Sequence, residues 1–391
     1  MADPIKKVVL GGGKVRYRFV LDVGRRPDGG RRQLTVTRDT EKEARAEYGR
    51  LVSARESGTL IVPSKITVSE WLDEWLASKV DDLEVTTLNS YAVCLKRAKE
   101  KLGHIRLQEL TEEDVIAFVR WMLTEGHARY SNRGLTIKTA ASTLARFREA
   151  LARAMVKRLV AVNVASEVGI PRQARKAERK SRPVVPPWNL SEVQLFVAGI
   201  LDKRLYAVHL LSLMGMRPAE VCGLRWEDID FDRLTLSVCN TRTMINNHRV
   251  VEKDTKSEAG DRVLPVPGPL NDALRKFKAR LAKERLAVGG DYVDSGYVAV
   301  DEIGQPLTTA DLRNEAYRLM DELQLRRVRL YDARASCLTY LANKGVPRHI
   351  LARWAGHTNP RTTDRFYIKP DVEDLRDAAR TWEGLSGVPN A

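Results

Sequence analysis

Val15, Tyr17, Phe19 and Leu21 alternate with Arg16, Arg18 and Asp22, the two-residue period of a half-buried β-strand. Pro27-Asp28-Gly29-Gly30 then carries turn chemistry, because proline presets φ and glycine tolerates positive φ. Leu34 and Val36 continue the alternation on a return strand. Thr40 and Glu43 stand at capping-box spacing ahead of Tyr48, Leu51 and Val52, so a helix follows. Residues 1–65 therefore read as a small α+β domain, one sheet with a helix packed on it.

From residue 66 to 170 the period is helical. Thr67 and Glu70 repeat the capping-box spacing, and Trp71, Leu72, Trp75 and Leu76 form one apolar stripe. Leu88, Tyr91 and Leu95 mark a second helix, with a glycine stop signal at Leu102-Gly103. Thr111 to Asp114 opens a third, with Val115, Ile116, Phe118 and Val119 inward; Leu144, Phe147, Leu151 and Ala154 lie at helical spacing in a fourth. Stripes of this kind are packing surface, which makes this an all-α domain. Residues 171–187 break the pattern: Pro171, Pro183, Pro186 and Pro187 flank Arg172, Arg175, Lys176, Arg179, Lys180 and Arg182. Prolines oppose regular structure and clustered cations repel one another, so the segment reads as a basic linker, strapped across a polyanion or simply solvated. Residues 188–391 mix helix and strand: Leu190 to Ile200 and Leu205 to Leu213 as helices, short strands at Leu234 to Val238, Arg249 to Val251 and Val263 to Val266, then helix again.

Composition narrows the function. A chain of 391 residues exceeds one ordinary core and suits two or three domains. It has no apolar run of about 18 residues, and its start lacks a secretory core, so a cytoplasmic protein without a membrane partner is expected. Cys94, Cys222, Cys239 and Cys337 form no CxxC pair, and no carboxylate cluster suits Mg²⁺, so no metal is expected. The net charge of +15 calls for a polyanionic partner, nucleic acid or an acidic membrane surface. Arg16, Arg18, Arg31 and Arg32 occupy polar strand positions, with Arg25 and Arg26 at the turn; they could reach phosphates or base edges, or form a solvated basic face. On the helices, Lys96, Arg97, Lys101, Lys138, Arg146, Arg148 and Arg153 are the outward candidates, joined by Arg175, Lys176 and Arg179 of the linker.

Four blocks in the last segment carry candidate chemistry. In the first, Gly215-Met216-Arg217 leads into Pro218-Ala219-Glu220, with Leu224, Trp226 and Asp228 beyond. A planar guanidinium at a helix end suits two phosphate oxygens, and Glu220 holds the helix entrance or orients that arginine. An ordinary Arg–Glu helix pair would have the same spacing. The second, Asp254 to Pro265, holds Lys256, with Lys253 as a neighbouring competitor. The third is Tyr331-Asp332-Ala333-Arg334. The fourth runs from Gly356-His357 through Thr362-Thr363 to Tyr367, ten residues after the histidine. Phe366 beside Tyr367 suggests an aromatic core pair, but Asp364, Arg365 and Lys369 around it disfavour burial.

In this order, over about 200 residues, the blocks resemble the phage integrase family of tyrosine site-specific recombinases. The second segment is similar to that family's helical core-binding domain, at Thr86-Thr87-Leu88-Asn89-Ser90-Tyr91 and at Leu102 to Thr111. The first is similar to the arm-binding domain of phage-type integrases. The resemblance implies a multidomain protein: a small α+β arm-binding domain (1–65), an all-α core-binding domain (66–170), a basic linker (171–187) and a mixed α+β catalytic domain (188–391). It implies Tyr367 as the nucleophile, Arg217 and Arg334 as phosphate clamps, His357 as a hydrogen-bonding partner of the phosphate that helps take the tyrosyl proton, Lys256 as general acid and Glu220 in support. Tyr331 stands where the family usually has histidine; a phenol of pKa about 10 is a poor proton acceptor at neutral pH but still donates a hydrogen bond. The same resemblance implies a 3′-phosphotyrosyl intermediate, no ATP, metal or other cofactor, and a homotetramer on double-stranded DNA attachment sites, with an accessory directionality factor among its partners. The apolar tail (Leu375, Ala378, Ala379, Trp382, Leu385) is either donated to a neighbouring protomer or docked on its own domain. Two rivals share the fold: a type IB topoisomerase-like enzyme, and a non-catalytic DNA-binding or architectural regulator, for which Tyr331 is the sole support.

Overall fold

The computed structural model describes residues 3–9, 14–25, 29–127, 133–181, 186–245, 249–254 and 261–357, with backbone only at 179–181 and 253–254. The chain divides into two compact units, Met1–Pro183 and Val184–Ala391.

The first unit opens with an antiparallel sheet of β1 (Lys6–Val9), β2 (Val15–Arg25) and β3 (Arg31–Arg38), in that order. β1 has no forerunner in the hydrophobic pattern. The pairings Phe19↔Val36 and Leu21↔Leu34 put these side chains on one face, where Phe19 and Leu21 are buried against Ala44 and Leu51 of α1 (Glu41–Glu56). Thr40 and Glu43 close the capping box on that helix. Arg16, Arg18 and Arg31 fall on the opposite face. Arg32 does not: alternating with Arg31 and Gln33, it shares the side of Leu34 and Val36, which splits the expected arginine cluster.

The same unit continues with α2 (Val68–Ala77), α3 (Val85–Leu102), α4 (Glu112–Thr124) and α5 (Ile137–Val156). Capping boxes Thr67/Glu70 and Thr111/Asp114 start α2 and α4. Their apolar stripes meet in a core of Trp71, Trp75, Leu95, Phe118, Phe147 and Leu151, and the indole of Trp71 donates to the Ala150 carbonyl at 3.0 Å. Two expectations are corrected. Gly103 ends α3 in a right-handed conformation (φ −60°), so no left-handed glycine cap is formed. The basic segment after residue 170 is not irregular throughout: it forms α6 (Arg172–Ser181). Between Pro171 and Pro183 every residue is a fair helix former, and Pro171 precedes the first turn, where a missing N–H costs nothing. Glu178 of α6 accepts the N–H of Ile137 at 3.0 Å, satisfying a donor that the start of α5 leaves open.

The second unit runs α7 (Leu190–Gly199), α8 (Tyr206–Leu213), α9 (Pro218–Gly223), β4 (Ile229–Asp230), β5 (Thr235–Val238), β6 (Asn240–Ile245), β7 (Arg249–Asp254), β8 (Arg262–Pro265), α10 (Gly268–Val288), α11 (Thr309–Glu322), α12 (Leu330–Asn343) and α13 (Arg348–Ala355). One antiparallel sheet has the order β4-β5-β8, and β6 pairs with β7 as a hairpin. Leu234, expected to start a strand, has φ +53° and belongs to the turn before β5. Phe196, Leu211, Val221, Leu236, Leu274 and Phe277 form the main core, and a smaller cluster of Ala335, Leu338, Leu351 and Ala355 joins α12 to α13. Among the described residues no helix is long and apolar enough to cross a membrane, and no group of three His, Cys, Asp or Glu residues is placed to hold a metal ion.

Candidate active site

Gly215 takes φ +101°, which a side chain would resist, and turns the chain from α8 into α9. That turn leaves Arg217 as the N-cap of α9, with Pro218 at the first helical position. The Glu220 carboxylate reaches back to accept the Arg217 backbone N–H at 2.8 Å and also pairs with its guanidinium. Glu220 is buried, and its remaining lone pairs accept both terminal nitrogens of Arg262 at 3.1 and 3.0 Å. Burial alone pushes the Glu220 carboxyl up; the hydrogen bonds and charge of Arg262, then Arg217, outweigh it and hold the group below the usual carboxylate range.

The other half of the site is the end of α13. Gly356 closes that helix in the left-handed conformation (φ +63°), and the N–H of His357 donates to the Ala352 carbonyl at 2.9 Å. The last carbonyls of a helix have no partner within it and carry the negative end of its dipole. Three successive ones are met by three arginines. Arg262 donates to Trp354 at 2.9 Å, Arg334 of α12 to Ala355, and Arg217 to Gly356 at 2.9 Å.

Arg334 is completely buried and donates a second bond to the Gly215 carbonyl at 2.7 Å. It therefore delivers a fixed charge, whereas the Arg217 side chain keeps 30% of its surface exposed. Arg334 Nη2 also lies 2.9 Å from His357 Nε2. Guanidinium has no acceptor, so Nε2 must accept and the imidazole proton sits on Nδ1. Burial first, then Arg334, Arg217 and Arg262, push His357 down to about 4, leaving it neutral at neutral pH. In this arrangement His357 offers a donor through Nδ1, while the nitrogen that would take a proton is occupied.

Arg217, Glu220, Arg334 and His357 are thus brought together from three separate stretches of chain. Tyr331 lies three residues before Arg334 in the first turn of α12 and is 42% exposed. Lys253 sits in β7 opposite Thr241. Lys256, Thr363, Tyr367 and the apolar tail lie outside the described residues. Arg262 carries no motif signal, but one trace was readable: period two on β8 places it on the same inward face as Leu264.

The sequence profile of the phage integrase family matches residues 196–374, and that of the phage integrase N-terminal SAM-like domain matches residues 67–123. Tyrosine recombinase XerA of Thermococcus kodakarensis is 30% identical over 225 residues, covering 54% of this chain and 71% of that one. A tyrosine recombinase XerC-like protein of Caldanaerobacter subterraneus is 22% identical over 388 residues, covering 95% and 97%. This chain belongs to the phage integrase family. Among solved structures, the Tn1549 transposon integrase in complex with a circular intermediate DNA superposes with a TM-score of 0.64 at 18% identity, over 81% of this chain and 99% of that one. A lambda integrase dimer bound to a core site gives 0.55 at 14% identity, over 93% and 94%. As a phage integrase family member the protein is a tyrosine recombinase, an enzyme that cleaves and rejoins DNA in site-specific recombination.

Within that phage integrase frame the outlying cations differ in availability. Arg25, Arg31, Arg32, Lys96, Lys138, Arg175 and Lys176 are exposed. Arg16 is paired with Asp39 at 2.9 Å, Arg18 reaches Thr37 at 3.4 Å, and Arg97 bonds the Val93 carbonyl of its own helix at 3.1 Å. Arg146 pairs with Glu149 at 2.8 Å and lies 4.7 Å from the centroid of the Tyr91 ring. Arg148 departs from expectation: it is committed to the carbonyls of Ala165 and Val168 at 2.9 and 2.7 Å and serves the fold.

Proposed function

We propose that the protein integrates or excises a mobile element by cutting double-stranded DNA at attachment sites through a 3′-phosphotyrosyl intermediate. The observation that carries this reading is the gathering of Arg217, Arg334 and His357 around the end of α13, ten residues before Tyr367 in sequence. A tyrosyl oxygen attacks a phosphodiester readily only when the charge of the pentavalent state is absorbed. Arg217, partly exposed, faces the non-bridging oxygens, Arg334 adds a buried charge, and His357 donates from Nδ1. The Tyr367 oxygen gives up its proton to solvent and forms its bond to phosphorus as the bond to the 5′-oxygen breaks, and Lys256 supplies the proton to that leaving oxygen. Tyr331 serves as a supporting hydrogen-bond donor. A 5′-hydroxyl of the partner duplex then attacks the phosphotyrosine and releases the enzyme. The bond energy is conserved throughout, so the chemistry calls for no nucleotide cofactor.

Four such sites on two duplexes call for a tetramer on DNA, and a lambda integrase tetramer bound to a Holliday junction shares this fold with a TM-score of 0.53. The exposed cations of α3, α5 and α6 are assigned to the core site, and the arginines of the N-terminal sheet (residues 1–65) to distal arm sites. The apolar tail is assigned to a neighbouring protomer, and an accessory factor to the choice of direction. Such DNA work belongs to the cytoplasm of a bacterial host, on the nucleoid.

The test is a nicked suicide duplex incubated with wild type, Tyr367→Phe and Arg217→Ala. The wild type should form a protease-sensitive covalent adduct and Tyr367→Phe none. Arg217→Ala should lose cleavage by about 100-fold or more with DNA binding largely kept. A wild type that binds the duplex without any adduct would sink the reading in favour of a non-catalytic regulator.

A further inference from the structure

We propose that Arg262 is a positioning residue for DNA cleavage, acting through Glu220 and the end of α13 to set the stance of Arg217 and His357. The proposal rests on the recombinase reading above and deepens it. Arg262 is 2% exposed, deep for a charged side chain, and all three of its guanidinium nitrogens reach Glu220 or Trp354. Both terminal nitrogens engage Glu220 at 3.1 and 3.0 Å, and Nε engages the Trp354 carbonyl at 2.9 Å.

These contacts make one rigid frame. Glu220 Oε1 accepts from the Arg217 and Arg262 guanidinium groups, and Oε2 accepts from the Arg217 backbone and from Arg262. All four lone-pair directions of the carboxylate are filled. A carboxylate saturated in this way cannot swing, so the guanidinium of Arg217 has one resting place. The second end of the frame fixes the carbonyl of Trp354, two residues before Gly356, whose own carbonyl holds Arg217 at 2.9 Å. Arg262 therefore holds Glu220, one support of Arg217, directly, and holds the helix end that carries the other, Gly356, through Trp354. It joins β8 to α9 and to α13, three elements that the chain itself connects only through long detours.

Removing Arg262 leaves Glu220 buried with Arg217 as its remaining cation. The carboxylate then draws Arg217 inward, away from the partly exposed position from which it reaches a phosphate. Lysine keeps the charge but offers a point donor in place of a planar fork, so it cannot hold both carboxylate oxygens and Trp354 together. A misplacement of about 1 Å at a clamp can cost on the order of 100-fold in rate without weakening substrate binding.

The experiment uses the full chain and compares single-turnover cleavage of the nicked duplex with equilibrium binding to the same DNA, for Arg262→Lys, Arg262→Met, Glu220→Gln and Arg262→Met/Glu220→Gln. The wild-type adduct is the control that decides the recombinase reading; the variants, expressed relative to it, decide this one. Expected are losses in cleavage of about 100-fold for Arg262→Met and about 10-fold for Arg262→Lys, with DNA affinity changed by less than about threefold. In the Glu220→Gln background, removal of Arg262 should add less than about threefold, because the two act as a unit. The double variant buries no uncompensated carboxylate and keeps the test open if Arg262→Met fails to fold. Wild-type cleavage by the folded Lys variant, or an undiminished further loss in the Glu220→Gln background, would overturn the proposal.

Discussion

Two histidines show how burial and charge act on one side chain. His209 of α8 is 2% exposed, its Nε2 finds no hydrogen-bond partner among the described residues, and burial, opposed by the charge of Glu315 and aided to a lesser degree by Arg318, holds it down to about 4. His357 reaches the same value beside three arginines. An unfolded chain takes up these protons near the ordinary value of 6.5, whereas the folded chain waits until about 4. Stability is therefore full above the unfolded value and falls as pH drops towards the folded one. His209 alone should cost about 2 kcal/mol between about pH 7.5 and about pH 5, read by urea unfolding, and His209→Leu should flatten that share of the slope. In the DNA-free protein, NMR should find the His357 imidazole with its proton on Nδ1 and no titration near 6.5. A midpoint there would mean that Arg334 does not share Nε2. Arg217, Glu220, Arg334 and His357 were legible in the sequence because each sits in a short local motif. Arg262 was not, since its partners lie 42 and 92 residues away.

At the scale of elements, the site is an exercise in satisfying one helix end. α13 ends in apolar surroundings with Leu351, Ala352 and Ala355 buried, so its last carbonyls need donors from elsewhere. Arginines supply them and gain the favourable end of the helix dipole. Gly356 permits the left-handed turn that aims the three carbonyls apart. Gly356→Ala should destabilise the protein by about 1 kcal/mol, measured in urea, and should lower cleavage more than DNA binding. Equal stability with unchanged cleavage would show that the cap does not set the site. α6 teaches the opposite lesson about proline. Flanking prolines suggested an irregular strap, yet the ten residues from Arg172 to Ser181 contain none, and the helix they form presents Arg175 and Lys176 to solvent. Proline marks where a helix ends, and the residues between two prolines remain free to make one.

For the whole molecule, the net charge of +15 over 391 residues governs association with DNA more than it governs fold. Affinity for non-specific duplex should fall steeply between about 50 and 200 mM salt, by on the order of 10³-fold if about six phosphates are contacted. Removal of residues 1–65 should weaken binding at distal arm sites and spare the core site, by gel shift on separate duplexes. Equal loss at both would reject the assignment of the N-terminal sheet to arm DNA. That sheet and its helix have a hydrophobic cluster of their own, distinct from that of the helices after residue 66.

Most elements of the fold, though not β1 or α6, were legible in local patterns of the chain. Capping boxes at Thr40, Thr67 and Thr111, the two-residue period through Phe19 and the stripes of Trp71 and Phe147 are local patterns, and local patterns fix local structure. Which charges meet depended on contacts between distant segments. The side of the sheet that Arg32 takes depends on strand register, the retirement of Arg148 into the fold depends on a loop 17 to 20 residues away, and the union of Arg217, Arg262 and Arg334 depends on where α13 ends. A cation's role is set by the carbonyls and carboxylates that surround it, and those come from distant parts of the chain.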